Sequence, residues 1–349
     1  TMPSLMLIVR LLFAHLCARS PSITESPGKC SPGSAIRPRL TSRLGYHIRL
    51  AQSPSAALRE EIVPELRIAT RKSPLALWQA EFVKRSLEDA HDDLFCELVP
   101  MTTSGDRFLN AKLTEIGGKS MFVKELQRAL LDGSADIAVH SMKDVTAELP
   151  EALQISVFTP REDPRDALVS EVAASLAGLP DGARVGTASS RRQCQLLATR
   201  PDLRVGLVRG NVNTRLAKLD AGEFDALILA ASGLMRLEFD ARIAARIEPE
   251  QMLPSVGQGI MGVECRAGDQ ATLDRIAVLN DRDATDRILA ERTMNRLLQG
   301  GCTAPVAGYA ELQGDELWLR GLVGSLDGTQ VIRAEARGTR AQAEDIGRE

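Results

Sequence analysis

From residue 66 onward, short apolar runs alternate with helix-length amphipathic stretches, a rhythm that predicts an α/β protein. Residues 66–70 (LRIAT) are the first apolar run. Ser73 and Pro74 then read as the N-cap and first position of a helix whose face is lined by Leu75, Leu77, Trp78, Phe82, Val83 and Leu87. Residues 95–101 predict a second strand. Residues 102–119, with Gly105, Gly117 and Gly118, predict a mobile loop, and a helix follows from Ser120 to Gly133. Residues 136–140 (DIAVH) predict a buried third strand, with Ser141, Met142, Lys143 and Asp144 just past its end.

Residues 185–215 (VGTASSRRQCQLLATRPDLRVGLVRGNVNTR) carry the most information. They read as strand, small-residue turn, helix, strand, turn, helix. Arg191 and Arg192 fall in the first turn of a helix, where the helix dipole favours anions over cations. The next turn repeats the layout with Arg209, Gly210 and Asn211, and Arg215 lies about one turn further on. Two successive strand ends therefore aim arginines and backbone N–H groups at one rim, where open α/β sheets bind ligands. This predicts a site for a polyanionic small molecule, with carboxylate or phosphate left open. Arg71 stands at a similar turn, and Arg236 follows a strand at 225–229.

Residues 159–167 (TPREDPRDA) are polar and read as a crossover between two α/β units. Residues 253–259 read as a hinge returning the chain to the first unit, with 260–264 as its added strand. Beyond residue 269 come two helices, at 270–279 and 284–298, and three strands, at 306–312, 316–323 and 330–336. The expected division is an extension at 1–63, a first α/β lobe at 64–160 plus 260–278, a second at 165–254, and a small α+β domain at 280–349. The chain ends at Glu349 where a further helix begins, so this last domain is expected to be cut short.

Composition narrows the function classes. A net charge of −3 and 3% aromatic residues among 349 argue against a general nucleic-acid binder. The six cysteines are scattered, which suits neither a disulfide framework nor a zinc site, and no metal is expected. Residues 1–60 are rich in Ser, Pro and Arg, and their apolar segment is too short to span a bilayer. A bacterial cytoplasmic setting is expected, with a plastid or mitochondrion as the alternative if this extension is a transit peptide. Position alone reads Lys143 and Asp144 as a surface pair more readily than as a general acid/base pair, and His140 as a packed histidine.

Several of these segments, in this order, resemble the porphobilinogen deaminase (hydroxymethylbilane synthase) family: RIATRKSPLALWQA (67–80), HSMKD (140–144), REDPRDA (161–167), GTASSRRQCQL (186–196), RGNVNTRL (209–216), VGQGIMGVECR (256–266) and GGCTAP (300–305). The resemblance implies two periplasmic-binding-protein-like α/β lobes with a hinge, plus a small α+β C-terminal domain. It implies head-to-tail condensation of four porphobilinogens with loss of ammonia, and a dipyrromethane cofactor joined by a thioether to Cys302. It implies Asp144 as the catalytic carboxylate, placed to stabilise the cation left when ammonia departs. Cofactor binding would fall to Lys143, Ser141, Ser189, Arg191, Arg192 and Arg215. Substrate binding would fall to Arg71, Ser73, Gln79, Arg209, Arg215, Arg236, Lys119 and Phe122. The partner is porphobilinogen; a monomer without nucleic acid or membrane is expected. Thr146 and Ser190 stand where the family usually has Pro and Leu, and neither change removes a functional group. A second reading, a non-catalytic two-lobed binder of an anionic solute, would need neither Asp144 nor Cys302.

Overall fold

Two five-stranded sheets built to the same plan account for most of the chain. The computed structural model describes residues 66–103, 123–300 and 304–349. The first lobe begins with β1 (Leu66–Arg71), α1 (Pro74–Ala90), β2 (Cys96–Met101), α2 (Lys124–Leu131), β3 (Ile137–Ser141) and β4 (Leu153–Phe158). The chain then crosses to the second lobe: β5 (Asp166–Val169), β6 (Arg184–Gly186), α3 (Ser190–Thr199), β7 (Arg204–Gly206), α4 (Val212–Asp220), β8 (Ala226–Ala230), α5 (Ala231–Met235) and β9 (Ala245–Ile247). It returns through β10 (Met261–Arg266) and α6 (Gln270–Ile276). A third unit follows, with α7 (Arg282–Leu297), β11 (Val306–Gln313), β12 (Glu316–Gly324), β13 (Val331–Thr339) and α8 (Ala343–Arg348).

The strand order is β2-β1-β3-β10-β4 in the first lobe and β7-β6-β8-β5-β9 in the second. In each, three parallel strands are joined by one antiparallel strand that the chain delivers directly after a crossing. The strand expected at 260–264 is β10. Its counterpart β5 was hidden in the polar crossover, and β4 and β9 also lie outside the strands expected from sequence.

Both sheets are covered on both faces, so their central strands read as continuous apolar runs rather than as alternating patterns. On β1, Ile68 packs with Val83 and Leu87 of α1, while its neighbour Ala69 packs with Leu126 and Leu130 of α2. On β8, Ala226 and Ile228 face Leu196 of α3, while Leu227 and Leu229 face Leu216 and Leu219 of α4. In the third unit, β11, β12 and β13 form an antiparallel meander. Ala290 of α7 and Ala343 and Ile346 of α8 close its core against Ala310, Leu317 and Leu319.

Pro74 opens α1 as expected, and Ser73 holds the N-cap position, but its hydroxyl makes no capping bond. Residues 104–122, which include most of the loop expected at 102–119, and residues 301–303, which include Cys302, lie outside the described residues, as does the extension before residue 66.

Where the first crossing enters the second lobe, Asp166 is fully buried and holds two arginines. Its carboxylate receives Arg191 Nη1 at 2.7 Å, Arg192 Nη2 at 2.7 Å and Gln258 Nε2 at 2.9 Å. Burial alone would raise its pKa, but the two guanidinium groups reverse that and hold it well below the usual carboxylate range. Its stabilising effect is therefore present across neutral and mildly acidic pH and is lost only as pH falls through that lowered value. Asp166→Asn leaves two buried cations unbalanced. We expect a loss of about 3–5 kcal/mol, read from the midpoint of denaturant unfolding; an unchanged midpoint would show that the pair is neutralised some other way.

Candidate active site

β10 starts beside the end of β3 and β5 beside the end of β8, and the side chains at these two ends lie within electrostatic reach of each other across the cleft between the lobes. In the first lobe, Met261 pairs with Ser141, and the backbone N–H of Met142 donates to the Ile260 carbonyl at 3.0 Å. This turns the chain after β3 into a single 3-10 turn, Met142–Asp144, which presents Lys143 and Asp144 at the strand end. In the second lobe, Asp166 lies opposite Ala230 at the end of β8, and β6 and β7 end just before the arginine-bearing turns.

The cleft brings most of the expected cations together. Burial pushes the Lys143 ammonium down to about 8; Asp144 beside it opposes the shift, while Arg192 and Arg215 add to it. Burial likewise pushes Arg215 down to about 10, with Arg192 and Arg209 adding and Asp144 opposing. Lys143 and Asp144 of one lobe are thus within electrostatic reach of Arg192 and Arg215 of the other. Among the described residues, Asp144 makes no hydrogen bond or salt bridge, so its carboxylate is available to a ligand.

Arg71, Gln79, His140, Ser141 and Asp144 line one small polar pocket on the first lobe. Gln79 is buried there, and its amide bonds the Ser141 hydroxyl at 2.8 Å, so each orients the other. Beneath them, His140 Nε2 lies 2.8 Å from Glu264, whose other oxygen accepts Gln127 Nε2 at 2.9 Å. His140 is thus a packed histidine, as its sequence context suggested.

The structure corrects the reading of the arginine pair. Read from sequence, Arg191 and Arg192 are part of a site for a polyanionic small molecule. The chain supplies an anion itself: both arginines pair with Asp166, and Arg191 and Arg192 also donate to the carbonyls of Leu253 (2.7 Å) and Ile228 (2.8 Å). The caps are filled from within as well. Ser189 Oγ accepts the Arg192 N–H at 3.4 Å, and Asn211 accepts the Thr214 N–H at 2.9 Å. Asp166 was missed because it lies in a polar segment that reads as linker; the signal was an Asp opening the apolar run DALV.

Arg215 keeps its place at the rim, with Nε donating to the Gly210 carbonyl at 2.9 Å. Arg209 follows β7 and contributes to the field around Arg215. Arg236 follows α5 and reaches the first lobe and the second crossing. It is buried where the lobes meet, over the Trp78 ring at 5.6 Å, and donates Nη2 to the Gly259 carbonyl at 2.8 Å. Burial pushes it down to about 10, and the charge that opposes this is Glu162. Lys119, Phe122 and Cys302 lie outside the described residues.

A group carrying several carboxylates fits this cleft. Lys143 and Arg215 are cations held below their ordinary pKa by burial and by neighbouring arginines, and an incoming carboxylate relieves that cost. Among the described residues, no cluster of three or more His, Cys, Asp or Glu could hold a metal.

Solved structures similar to this chain include a periplasmic substrate-binding protein of an ABC transporter from Coxiella burnetii, at 13% identity, 68% of this chain, 100% of that chain and a TM-score of 0.39. The periplasmic VFT2 domain of BvgS from Bordetella pertussis matches at 16% identity, 67% of this chain, 92% of that chain and a TM-score of 0.37. Family models match far more directly. The C-terminal domain of porphobilinogen deaminase matches residues 285–349. The dipyromethane cofactor binding domain of porphobilinogen deaminase matches residues 66–274, well over half of the sequence, and the chain belongs to the porphobilinogen deaminase family.

Proposed function

We propose that Asp144 is the catalytic carboxylate of this chain and that Lys143, Arg209 and Arg215 form the cationic wall that seats its ligands, with Arg192 adding its charge from behind. The reaction is that of the family: four porphobilinogens are joined head to tail into hydroxymethylbilane, with release of ammonia, in tetrapyrrole biosynthesis. When bound, the dipyrromethane cofactor supplies the pyrrole end to which the first substrate is joined. The observation that carries the assignment is the Asp144 carboxylate, without a hydrogen bond or ion pair among the described residues and within electrostatic reach of Lys143, Arg192 and Arg215.

The division of labour follows from charge. Each porphobilinogen carries acetate and propionate groups, and planar guanidinium groups bind carboxylates through two parallel hydrogen bonds. Arg71, beside Asp144 in the same pocket, serves the substrate, and Ser73 lies at the adjoining turn. Gln79 and Ser141 hold each other in place below it. Asp144 accepts pyrrole N–H groups and stabilises the positive charge that develops as the carbon–nitrogen bond to the leaving ammonia breaks. The same carboxylate is suited to receive the proton lost from the attacking ring.

Arg191 and Arg192 act with Asp166 as one unit, in which Asp166 keeps the arginines charged and fixed. Ser189 caps the helix that carries them. Cys302 is the anchor of the cofactor in this reading, and Lys119 and Phe122 serve the substrate. Arg236 closes the cleft from the side of Trp78.

No described helix is long and apolar enough to cross a membrane. A monomer in the bacterial cytoplasm, without nucleic acid, remains part of this reading, supported by the modest net charge of −3 and the scattered cysteines. A non-catalytic binding protein is disfavoured by the family match.

Two measurements test the site. Asp144→Ala is expected to raise the barrier by about 3 kcal/mol or more, so turnover falls at least about a hundredfold while the fold is kept. Near-normal turnover in a folded variant would remove Asp144 from the mechanism. Lys143 gives a pH test: it loses its proton as pH rises through about 8, and with the proton its hold on a carboxylate. KM for porphobilinogen should rise across that pH, and Lys143→Arg, which stays charged, should flatten the rise. The linked stability effect runs the other way. A buried charged Lys143 costs stability below about 8, and the cost fades as pH climbs from there toward its ordinary value of 10.5. A KM that stays flat in the unmodified chain would show that Lys143 does not contact the substrate's carboxylates.

A further inference from the structure

Midway along α7, in the third unit, Glu291 is fully buried and its carboxylate gathers three separate parts of the chain. Arg161, from the first crossing, lies 2.7 Å from it. The N–H of Gly257, from the second crossing, donates at 2.7 Å. The N–H of Ala310, from β11, donates at 2.8 Å. Arg161 extends the knot by donating Nε to the Gln258 carbonyl at 3.1 Å and Nη1 to the Ala310 carbonyl at 3.2 Å. Its guanidinium also lies 5.2 Å from the centre of the Tyr309 ring.

The two crossings are themselves in contact. The N–H of Glu162 donates to the Gly259 carbonyl at 3.2 Å. Gly259 has φ +92°, and a Cβ there would stand 2.3 Å from the Glu162 carbonyl oxygen. Only glycine lets the strands of the hinge approach this closely. The residue after Glu291 reaches the other way: Arg292 donates Nη2 to the carbonyls of Thr146 and Ala147, at 2.9 and 3.2 Å, just past Asp144.

We propose that Glu291 is a positioning residue that makes the third unit part of the hinge. It fixes α7, and the chain that runs on from α7 through Gly300, at a set place relative to both crossings. Ala284 and Ile288 of α7 pack with Met142, Val145 and Phe158 of the first lobe, so the third unit stays with that lobe and the second lobe moves relative to both. The inference rests on the reading of Cys302 as the anchor of the growing chain. With the anchor held still, each added ring is accommodated by lobe movement, and the reacting end returns to Asp144. Without the pin, the anchor drifts, and the error at Asp144 grows with every ring. A buried ion pair is in itself weak evidence for stability, since apolar replacements often do as well. One that gathers both crossings and a third unit is placed to fix geometry.

The test compares the cofactor-loaded chain with Glu291→Gln, which removes the charge, and Arg161→Lys, which keeps the charge but not the fork. Each is mixed with limiting porphobilinogen, and the enzyme-bound chains are followed by intact mass. Both variants should carry the adduct on Cys302. The first addition should stay within about threefold of the unmodified chain, while the last two slow by about tenfold or more, since small misplacements of reacting groups are costly. Short enzyme-bound chains then accumulate. Amide hydrogen exchange at Gly257 and Ala310 should also speed up in Glu291→Gln. Equal slowing of every addition, or an unchanged distribution of bound chains in a folded variant, would overturn the proposal, and so would unchanged exchange at both amides. If Glu291→Gln does not fold, Arg161→Lys carries the same comparison. An unmodified chain with no adduct on Cys302 would overturn the anchor reading, and the exchange result would still decide the pin.

Discussion

Like charges must be crowded to bind a ligand made of carboxylates, and the chain has to remain folded while no ligand is there. Asp166 is how this chain meets that constraint. One fully buried carboxylate balances Arg191 and Arg192 and ties both to β5, so the cationic rim of the second lobe is anchored to its sheet. Lys143 and Arg215 have lowered pKa values, from burial first and from the neighbouring arginines second. The cost of keeping them charged is recovered when carboxylates arrive, which is a form of preorganisation: the field is set before the ligand enters. Asp144 completes the design from the opposite lobe, as a negative charge left open within a positive surround.

The pattern of the chain carried much of the fold because the parallel strands are buried on both faces. β1, β3, β8 and β10 stand out as apolar runs, and Ser73 with Pro74 marks the start of α1. The strands it did not carry are short or polar at their ends. β5 is four residues opening on a charged Asp, and β9 is three residues containing Arg246. A strand so short is held by its neighbours, and a single sequence does not print its neighbours. β7 shrank from the expected 203–208 to Arg204–Gly206 for a related reason: it lies at the sheet's edge and pairs on one side.

The site was legible as residue types and only partly as geometry. That Arg191 and Arg192 need an anion follows from their place in the first helical turn. That the anion is Asp166, 25 positions upstream, follows only from the fold. Lys143 and Asp144 look like any surface pair until the second lobe sets Arg192 and Arg215 against them. Arg236 looks like its fellow arginines at a strand end, yet it turns to Trp78 and the second crossing. Family resemblance named these residues; the structure adds the partners of those it describes.

The swapped antiparallel strands bear on how the chain is made. Among the described residues, β4 joins the first sheet only through β10, which lies beyond the entire second lobe. As the polypeptide leaves the ribosome, β5 to β9 can close into a complete sheet while β4 still waits for its partner. At about 5–20 residues per second, that interval lasts on the order of 5–20 s. During it, β3 and β4 expose unpaired edges of the kind that recruit other strands. The lobe that starts first is finished last, and its half-built sheet is where chaperones and aggregation compete for the nascent protein.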